Sequence, residues 1–220
     1  MAYALRPGLH CCTVEGQTLC LDVAENRYFG LNAEAGNIVQ RLADGEIQPI
    51  EDQQRLSTLV EKGILIEVAG DSVWRLPLCQ PCADMDPVAG SAHVTELILA
   101  VAAQLHAEWQ IRQRPLAQIL DSFTKRKSAS RTSLDTGLAA RLRRQIAGFG
   151  AANLLLGSTD RCLASSLAFA TLCLRRGFPA SLIFGVRIGP FAAHCWVQHQ
   201  DIVLNDNIER VRLYTPILAI

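Results

Sequence analysis

Three residues in the last third of the chain have the types and order that thiol chemistry requires. Cys162 stands at the start of a segment, Arg161 to Arg176, that reads as a helix following Gly157-Ser158-Thr159-Asp160. A helix N-terminus presents free N–H groups and the positive end of the dipole, which favour a thiolate over a thiol. The same N–H groups can form part of an oxyanion hole for a tetrahedral intermediate. His194 falls in one alternating apolar run, Ala193 to His199, and Asp206 ends the next, Ile202 to Asp206. Paired as a hairpin, these runs would hold imidazole and carboxylate side by side, as nucleophile, proton shuttle and tautomer control demand. Each residue alone has a plainer reading: Cys162 as a small core residue, His194 as a satisfied core histidine, Asp206 as a turn acid. The combination points to acyl transfer through a thiolate. Cys173 lies between Leu172 and Leu174 in mid-helix, and Cys195 should face away from His194 across the sheet, so both are assigned to packing.

The elements that must carry these residues are legible as an α+β pattern. After Gly177-Phe178-Pro179 stops the nucleophile helix, Ser181 to Ile188 adds a third apolar alternating run to the two above. Upstream, Ser91 is expected to cap a helix reaching about Trp109, with Leu97, Val101 and Leu105 on one face. Pro115 is expected to open a helix ending near Phe123, and Thr124 to Ser133 to form a mobile loop. A further helix is expected around Leu138 to Ala147. The first 76 residues read as a small winged-helix-like unit. A hairpin runs through Leu19 to Asp22, a turn at Glu25-Asn26, and Arg27 to Leu31. Asn32 is a candidate N-cap for Ala33 to Leu42, which Asp44-Gly45 ends. A second helix spans about Ile50 to Lys62, with Gly63 at C′. Ile64 to Val68 and Ser72 to Leu76 then read as a closing hairpin or wing.

With 220 residues and 50% hydrophobic content the chain can bury a sizeable core. Residues 1–90 hold 6 Lys+Arg against 13 Asp+Glu, and residues 91–220 hold 15 against 8, so a net charge of zero conceals halves of −7 and +7. Residues 77–90, with three prolines, Gly90, Asp84 and Asp86, read as an exposed linker between a domain at 1–76 and one at 91–220. The N-terminus shows no signal-peptide pattern, and Val94 to Leu105 is interrupted by Glu96 and Gln104, so neither a signal peptide nor a membrane span is expected. In the cytoplasm that this suggests, most of the eight cysteines should be thiols. Cys79-Gln80-Pro81-Cys82 lies among prolines and reads as two surface thiols. A zinc site would need Cys11, Cys12 or Cys20 to come near, so no metal is expected. Gln110 to Gly150 carries nine Lys+Arg without interleaved aromatics, which fits a solvated helical face better than a nucleic-acid surface.

Several stretches carry a family resemblance. They are Arg161 to Ala168, Gly177 to Val186, Ala193-His194-Cys195-Trp196-Val197 and Val203-Leu204-Asn205-Asp206. In that order they resemble the leader peptidase of lasso peptide biosynthesis, the B protein. The resemblance implies a transglutaminase-like (papain-like) cysteine peptidase domain, with a triad carried over to Cys162, His194 and Asp206. Cys195 stands where that family commonly shows alanine, a small-for-small change.

In the N-terminal half, Leu21-Asp22, Arg27 to Asn32 and the helix ending at Asp44-Gly45 resemble the PqqD-like precursor-recognition domain. Such domains hold a leader peptide as an added strand on a sheet edge, against a helix. This implies an edge near Tyr28 to Leu31 and a facing helix from Glu51 to Lys62, with Tyr28, Phe29, Leu31, Leu56 and Leu59 as leader-binding residues. Tyr28, Phe29, Leu56 and Leu59 fit a plain hydrophobic core equally well. The implied partners are a lasso precursor peptide and an asparagine-synthetase-like macrolactam cyclase. No cofactor is implied for this chain; any ATP requirement would enter through the cyclase. Two other functions use the same residues: a transglutaminase-like acyl transferase passing the acyl group to an amine, and a non-catalytic scaffold delivering precursor.

Overall fold

The computed structural model describes residues 2–46, 52–69, 80–85, 93–129, 137–157 and 161–220. In the N-terminal part, β2 (Leu9–Val14), β3 (Gln17–Asp22) and β4 (Arg27–Gly30) form an antiparallel sheet in the order β2-β3-β4. The expected hairpin is present, with Leu19 opposite Gly30 and Leu21 opposite Tyr28. Asp22 locks its turn. The side chain is fully buried, accepts N–H bonds from Ala24 and Glu25 at 3.1 Å each, and pairs with the guanidinium of Arg6. Without those partners a buried carboxylate would be strongly destabilising.

Asn32 caps α1 (Ala33–Ala43) by accepting from the Ala35 N–H at 2.9 Å, as expected. Next comes α2 (Gln53–Glu61), within the expected span. The following strand, β5 (Leu65–Val68), pairs antiparallel with β1 (Ala2–Leu5), an element that was not anticipated. The partner once expected for it, Ser72 to Leu76, lies outside the described residues, as do Cys79 and Ser91.

The supposed linker is partly structured. Ala83–Asp84 forms β6 and pairs parallel with β9 (Ile202–Val203), while the Asp84 carboxylate accepts the Ile208 N–H at 3.1 Å. Backbone pairing at a sheet edge thus overrides the polar, proline-rich composition.

Four helices follow: α3 (Val94–Gln113), α4 (Leu116–Ala129), α5 (Leu138–Leu156) and α6 (Cys162–Arg175). Pro115 stands just before α4 as expected, but of the expected loop Thr124 to Ala129 continue the helix, and the rest, 130–133, lies outside the described residues. Thr124 and Ser128 satisfy their hydroxyls on carbonyls four residues back, and Lys127 reaches the Ser181 hydroxyl at 2.8 Å. The buried face of α3 is Ala100, Gln104 and Ala107, with Leu105 48% exposed. Small residues win because α5 comes very near: a Cβ on Gly148 would lie 2.9 Å from the Glu96 backbone.

The last strands, β7 (Ser181–Arg187), β8 (Ala192–His199) and β10 (Thr215–Ala219), complete a five-stranded sheet in the order β10-β7-β8-β9-β6. A short helix, α7 (Ile208–Val211), precedes β10. No residue from Cys162 to Leu174 is charged, so α6 is apolar all round and packs as a buried central helix against α3, α5 and β8. Ion pairs fasten both its ends to α3: Arg161 to Glu108 at 2.9 Å, and Arg176 to Glu96 at 3.0 Å.

The acidic and basic halves share one core. Val14, Leu19, Leu21 and Val23 belong to the same buried cluster as Phe169, Leu182 and Val197. A smaller cluster, Ile38, Leu56, Leu59 and Leu65, closes the far side of the N-terminal part. Leu21→Ala should therefore destabilise the whole chain by about 2–5 kcal/mol. In urea, tryptophan fluorescence and far-UV circular dichroism should shift together; separate transitions would mean two independent cores.

Candidate active site

Cys162 is the first residue of α6, so its sulfur sits where the helix leaves N–H groups unpaired. Burial works to raise its pKa. The hydrogen bond from His194, that residue's charge, and the backbone N–H groups of Cys195 and Leu163 outweigh it, and the thiol lies below its ordinary value. On β8, His194 donates from Nε2 to Asp206 Oδ2 at 2.5 Å, which leaves the other ring nitrogen for the thiol. Burial would lower the histidine pKa, but Asp206 and Cys162 carry it up to about 9. Both shifts run in the direction that favours a thiolate facing an imidazolium. Asp206 is itself oriented, its Oδ1 accepting the Asn207 N–H at 2.7 Å.

Two further sets of residues fix the imidazole and the spacing of its neighbours. The His194 ring contacts Tyr214, at 5.0 Å, and Trp196, at 6.2 Å. Gly185, opposite His194 on β7, makes room for them, since a Cβ there would stand 2.6 Å from the Trp196 ring and 3.0 Å from Tyr214 Cβ. Behind the triad, the Ser166 hydroxyl donates to the Cys195 carbonyl at 2.8 Å and accepts from Asn205 Nδ2 at 2.8 Å. Asn205 Oδ1 accepts the Val197 N–H at 2.7 Å. This buried chain ties the helix of Cys162, the strand of His194 and the residue before Asp206 into one unit. Sequence reasoning assigned Ser166 and Asn205 no role. The available signal was a serine one helical turn beyond Cys162 in a helix uncharged to Leu174, and an amide adjoining Asp206.

Cys173 and Cys195 are buried thiols with raised pKa values, mainly through burial, which is how packing cysteines behave. The expectation that cysteines are mostly free needs one correction. Cys11 and Cys20 stand directly opposite on β2 and β3, Cα atoms 4.2 Å apart, and form a disulfide. Cys82 is an exposed thiol. Among the described residues, no group of three His, Cys, Asp or Glu side chains is placed to hold a metal.

The five residues named for leader binding are dispersed. Leu56 and Leu59 are 3% and 4% exposed in the small core with Ile38 and Leu65, so their side chains face inward. Phe29 is half-buried on β4 with the Arg27 guanidinium 5.4 Å from its ring centroid. Half-buried Leu31 donates its N–H to the Thr18 carbonyl at 2.9 Å. Tyr28 points the other way, into the main core, and meets Phe191 at 5.7 Å.

Ionisation of the pair yields a signed pH dependence. As pH falls through the depressed Cys162 pKa the thiolate is lost, and as pH rises through about 9 His194 loses the proton it must donate, so turnover should be bell-shaped between those limits. Iodoacetamide should alkylate Cys162 at pH 6, where a reference thiol is only about 0.3% thiolate. His194→Ala should abolish that reactivity, and Ser166→Ala should weaken it by leaving the Asn205 amide and the Cys195 carbonyl unpaired. Peptide mass mapping reads each outcome; a Cys162 inert at pH 6 would contradict the ion pair.

A family model described as the transglutaminase-like superfamily matches residues 99–219, a span that takes in α4 to α6, the whole β7-to-β10 region and all three triad residues. No curated protein and no solved structure matches the chain. The matched superfamily comprises typically cysteine peptidases and acyltransferases, which accords with a catalytic domain built on a cysteine. With more than half of its length matched and a Cys-His-Asp line assembled at the N-terminus of a buried helix, the chain belongs to the transglutaminase-like superfamily.

Proposed function

We propose that this chain is a leader peptidase of lasso peptide biosynthesis, hydrolysing the bond between leader and core of a precursor peptide. The observation that carries the peptidase reading is the alignment of Cys162, His194 and Asp206 with the α6 N-terminus. The lasso assignment draws its support from the ordered motif resemblance around those residues, and the leader-binding role from the PqqD-like pattern at Leu21 to Gly45.

In the reaction, the Cys162 thiolate attacks the scissile carbonyl carbon, forming a C–S bond and a tetrahedral oxyanion. The N–H groups at the start of α6 are suited to receive that charge. His194 then gives its proton to the departing amine as the C–N bond breaks, leaving an acyl-enzyme. Water, deprotonated by His194, attacks the thioester, and the leader departs with a free carboxylate while the thiol is restored. Asp206 holds the imidazole and stabilises its charged form throughout. The released core amine would pass to an asparagine-synthetase-like cyclase, which would use any ATP required. Delivery to such a cyclase would put the reaction in the cytoplasm. Among the described residues, no helix is long and apolar enough to cross a membrane.

Mass spectrometry of precursor plus enzyme tests the proposal. Native protein should yield leader with a free carboxylate, and Cys162→Ala should yield no product while still binding precursor. Full cleavage by Cys162→Ala would refute the nucleophile. Incorporation of an added primary amine into the leader in place of water would turn the reading to acyl transfer.

A further inference from the structure

The outer face of α3 is apolar where a solvated helix would be polar. Val94, Ile98, Leu105 and Trp109 recur at spacings that set them within about 60° of one another around the helix axis, over about 22 Å of its length. Val94, Ile98 and Trp109 are 69%, 62% and 53% exposed, and the Trp109 ring stacks on His106 at 5.8 Å between centroids. A contiguous exposed row of this kind marks an interaction surface. Charge brackets it. At the N-terminal end of the row, a cavity of about 370 Å³ is lined by His93, Thr95, Glu96, Arg141, Arg144 and Arg176. Arg176 is bound to Glu96, whereas Arg141 and Arg144 are exposed on α5, and Arg144 has no acidic partner among the described residues. Beyond Trp109 stand Arg112 and Arg114, both exposed. The two carboxylates of α3, Glu96 and Glu108, are taken up by Arg176 and Arg161. The surface is therefore apolar along its middle and positive at both ends.

We propose that this face of α3 docks an acidic segment of another protein, whose apolar side chains cover the row from Val94 to Trp109 and whose Asp or Glu side chains meet the arginines at each end. One of those carboxylates enters the Arg144 cavity. Charge selects this occupant. A second copy of the chain, laid along the row in either direction, would set arginines against arginines. An anionic lipid surface would meet the exposed row but is flat, and would leave the cavity unfilled. A carboxylate side chain suits both the concave cavity and the planar fork of a guanidinium. The surface does not involve the triad, and it stands whether or not the substrate is a lasso precursor.

Titration of the full-length protein with two synthetic peptides tests the surface. Each is a helix of about 16 residues, matching the length of the row, with leucines along one face; one carries glutamates at both ends and the other lysines. The acidic peptide should bind and alter the Trp109 fluorescence, assigned with Trp109→Phe, and rising salt should weaken it. Ile98→Glu should weaken binding about tenfold or more by setting a carboxylate in the apolar contact. Arg144→Glu should weaken it about tenfold by reversing the charge at the cavity, and the lysine peptide should not bind. Equal binding of the two peptides, equal binding by native protein and Ile98→Glu, or no binding up to about 1 mM peptide would each overturn the proposal. A native dimer in sedimentation velocity that Ile98→Glu renders monomeric would overturn it in favour of a second copy. Cosedimentation with phosphatidylglycerol vesicles that Ile98→Glu abolishes would overturn it in favour of a lipid surface. Circular dichroism melting checks that the variants fold, and should Ile98→Glu fail, Arg144→Glu and the lysine peptide still decide. Peptide binding by a protein that never cleaves precursor would refute the lasso reading and leave the docking surface standing.

Discussion

A helix without charge from Cys162 to Leu174 must be buried, and that requirement organises the rest of the structure. Burial packs α6 against α3, α5, β7 and β8, and its first turn, from Cys162, is only partly covered. The ends are fixed against sliding by Arg161 with Glu108 and Arg176 with Glu96, two partly buried ion pairs set far apart on α3. Once α6 is held, the Ser166 hydroxyl fixes the height of β8 through the Cys195 carbonyl and, through Asn205, the residue next to Asp206. Packing of α6, β8 and the Asn205 segment thus sets how the three side chains stand to one another. Such preorganisation matters because charge stabilisation at a developing oxyanion is effective only where the donors are already in place.

The same burial explains the ionisation. Desolvation alone would keep the Cys162 proton on sulfur and strip His194 of its own. What reverses both is a single chain of contacts, from backbone N–H groups to sulfur, from sulfur to imidazole, and from imidazole to the Asp206 carboxylate. Cys195 supplies the contrast within one residue of His194. It is equally sulfur and more deeply buried, it lacks an imidazole, and its thiol is pushed well up. Environment, not residue type, separates the two thiols.

Local signals were legible in the sequence, and relations between distant segments were not. The β3–β4 hairpin, the Asn32 cap, the nucleophile helix and the His194–Asp206 hairpin are each encoded within a few residues by alternation, a capping side chain or an uninterrupted apolar run. Pairing of β1 with β5 and of β6 with β9 joins residues far apart in sequence, and neither strand carries a strong alternating pattern. Of the stripe expected on α3, Leu97 and Val101 do pack half-buried against the main core and Leu105 turns out, while close approach to Gly148 rewards Ala100 and Ala107 as the fully buried positions. Cys11 and Cys20 sit in an ordinary hairpin, and only the register makes them opposite. Leu56 and Leu59 illustrate the limit of resemblance, since a helix face can serve a groove or a core and their side chains have gone to the core.

Continuity of that core between the acidic and basic halves has a mechanical consequence for a substrate that must be both held and cut. Two domains on a flexible tether present a bound peptide to the nucleophile at an effective concentration set by linker statistics. Here β2 and β3 contribute Val14, Leu19 and Leu21 to the cluster that encloses α6, so the sheet moves with the active site. Among the described residues β4 pairs only with β3, and its outer edge is open. A peptide added there, as proposed for the leader, would lie along the strand whose Tyr28 packs against the main core. Recognition would then fix the direction in which the chain enters the site as well as its proximity. The distance between the docked segment and the scissile bond would act as a ruler, and a precursor of wrong spacing would bind without being aligned for attack.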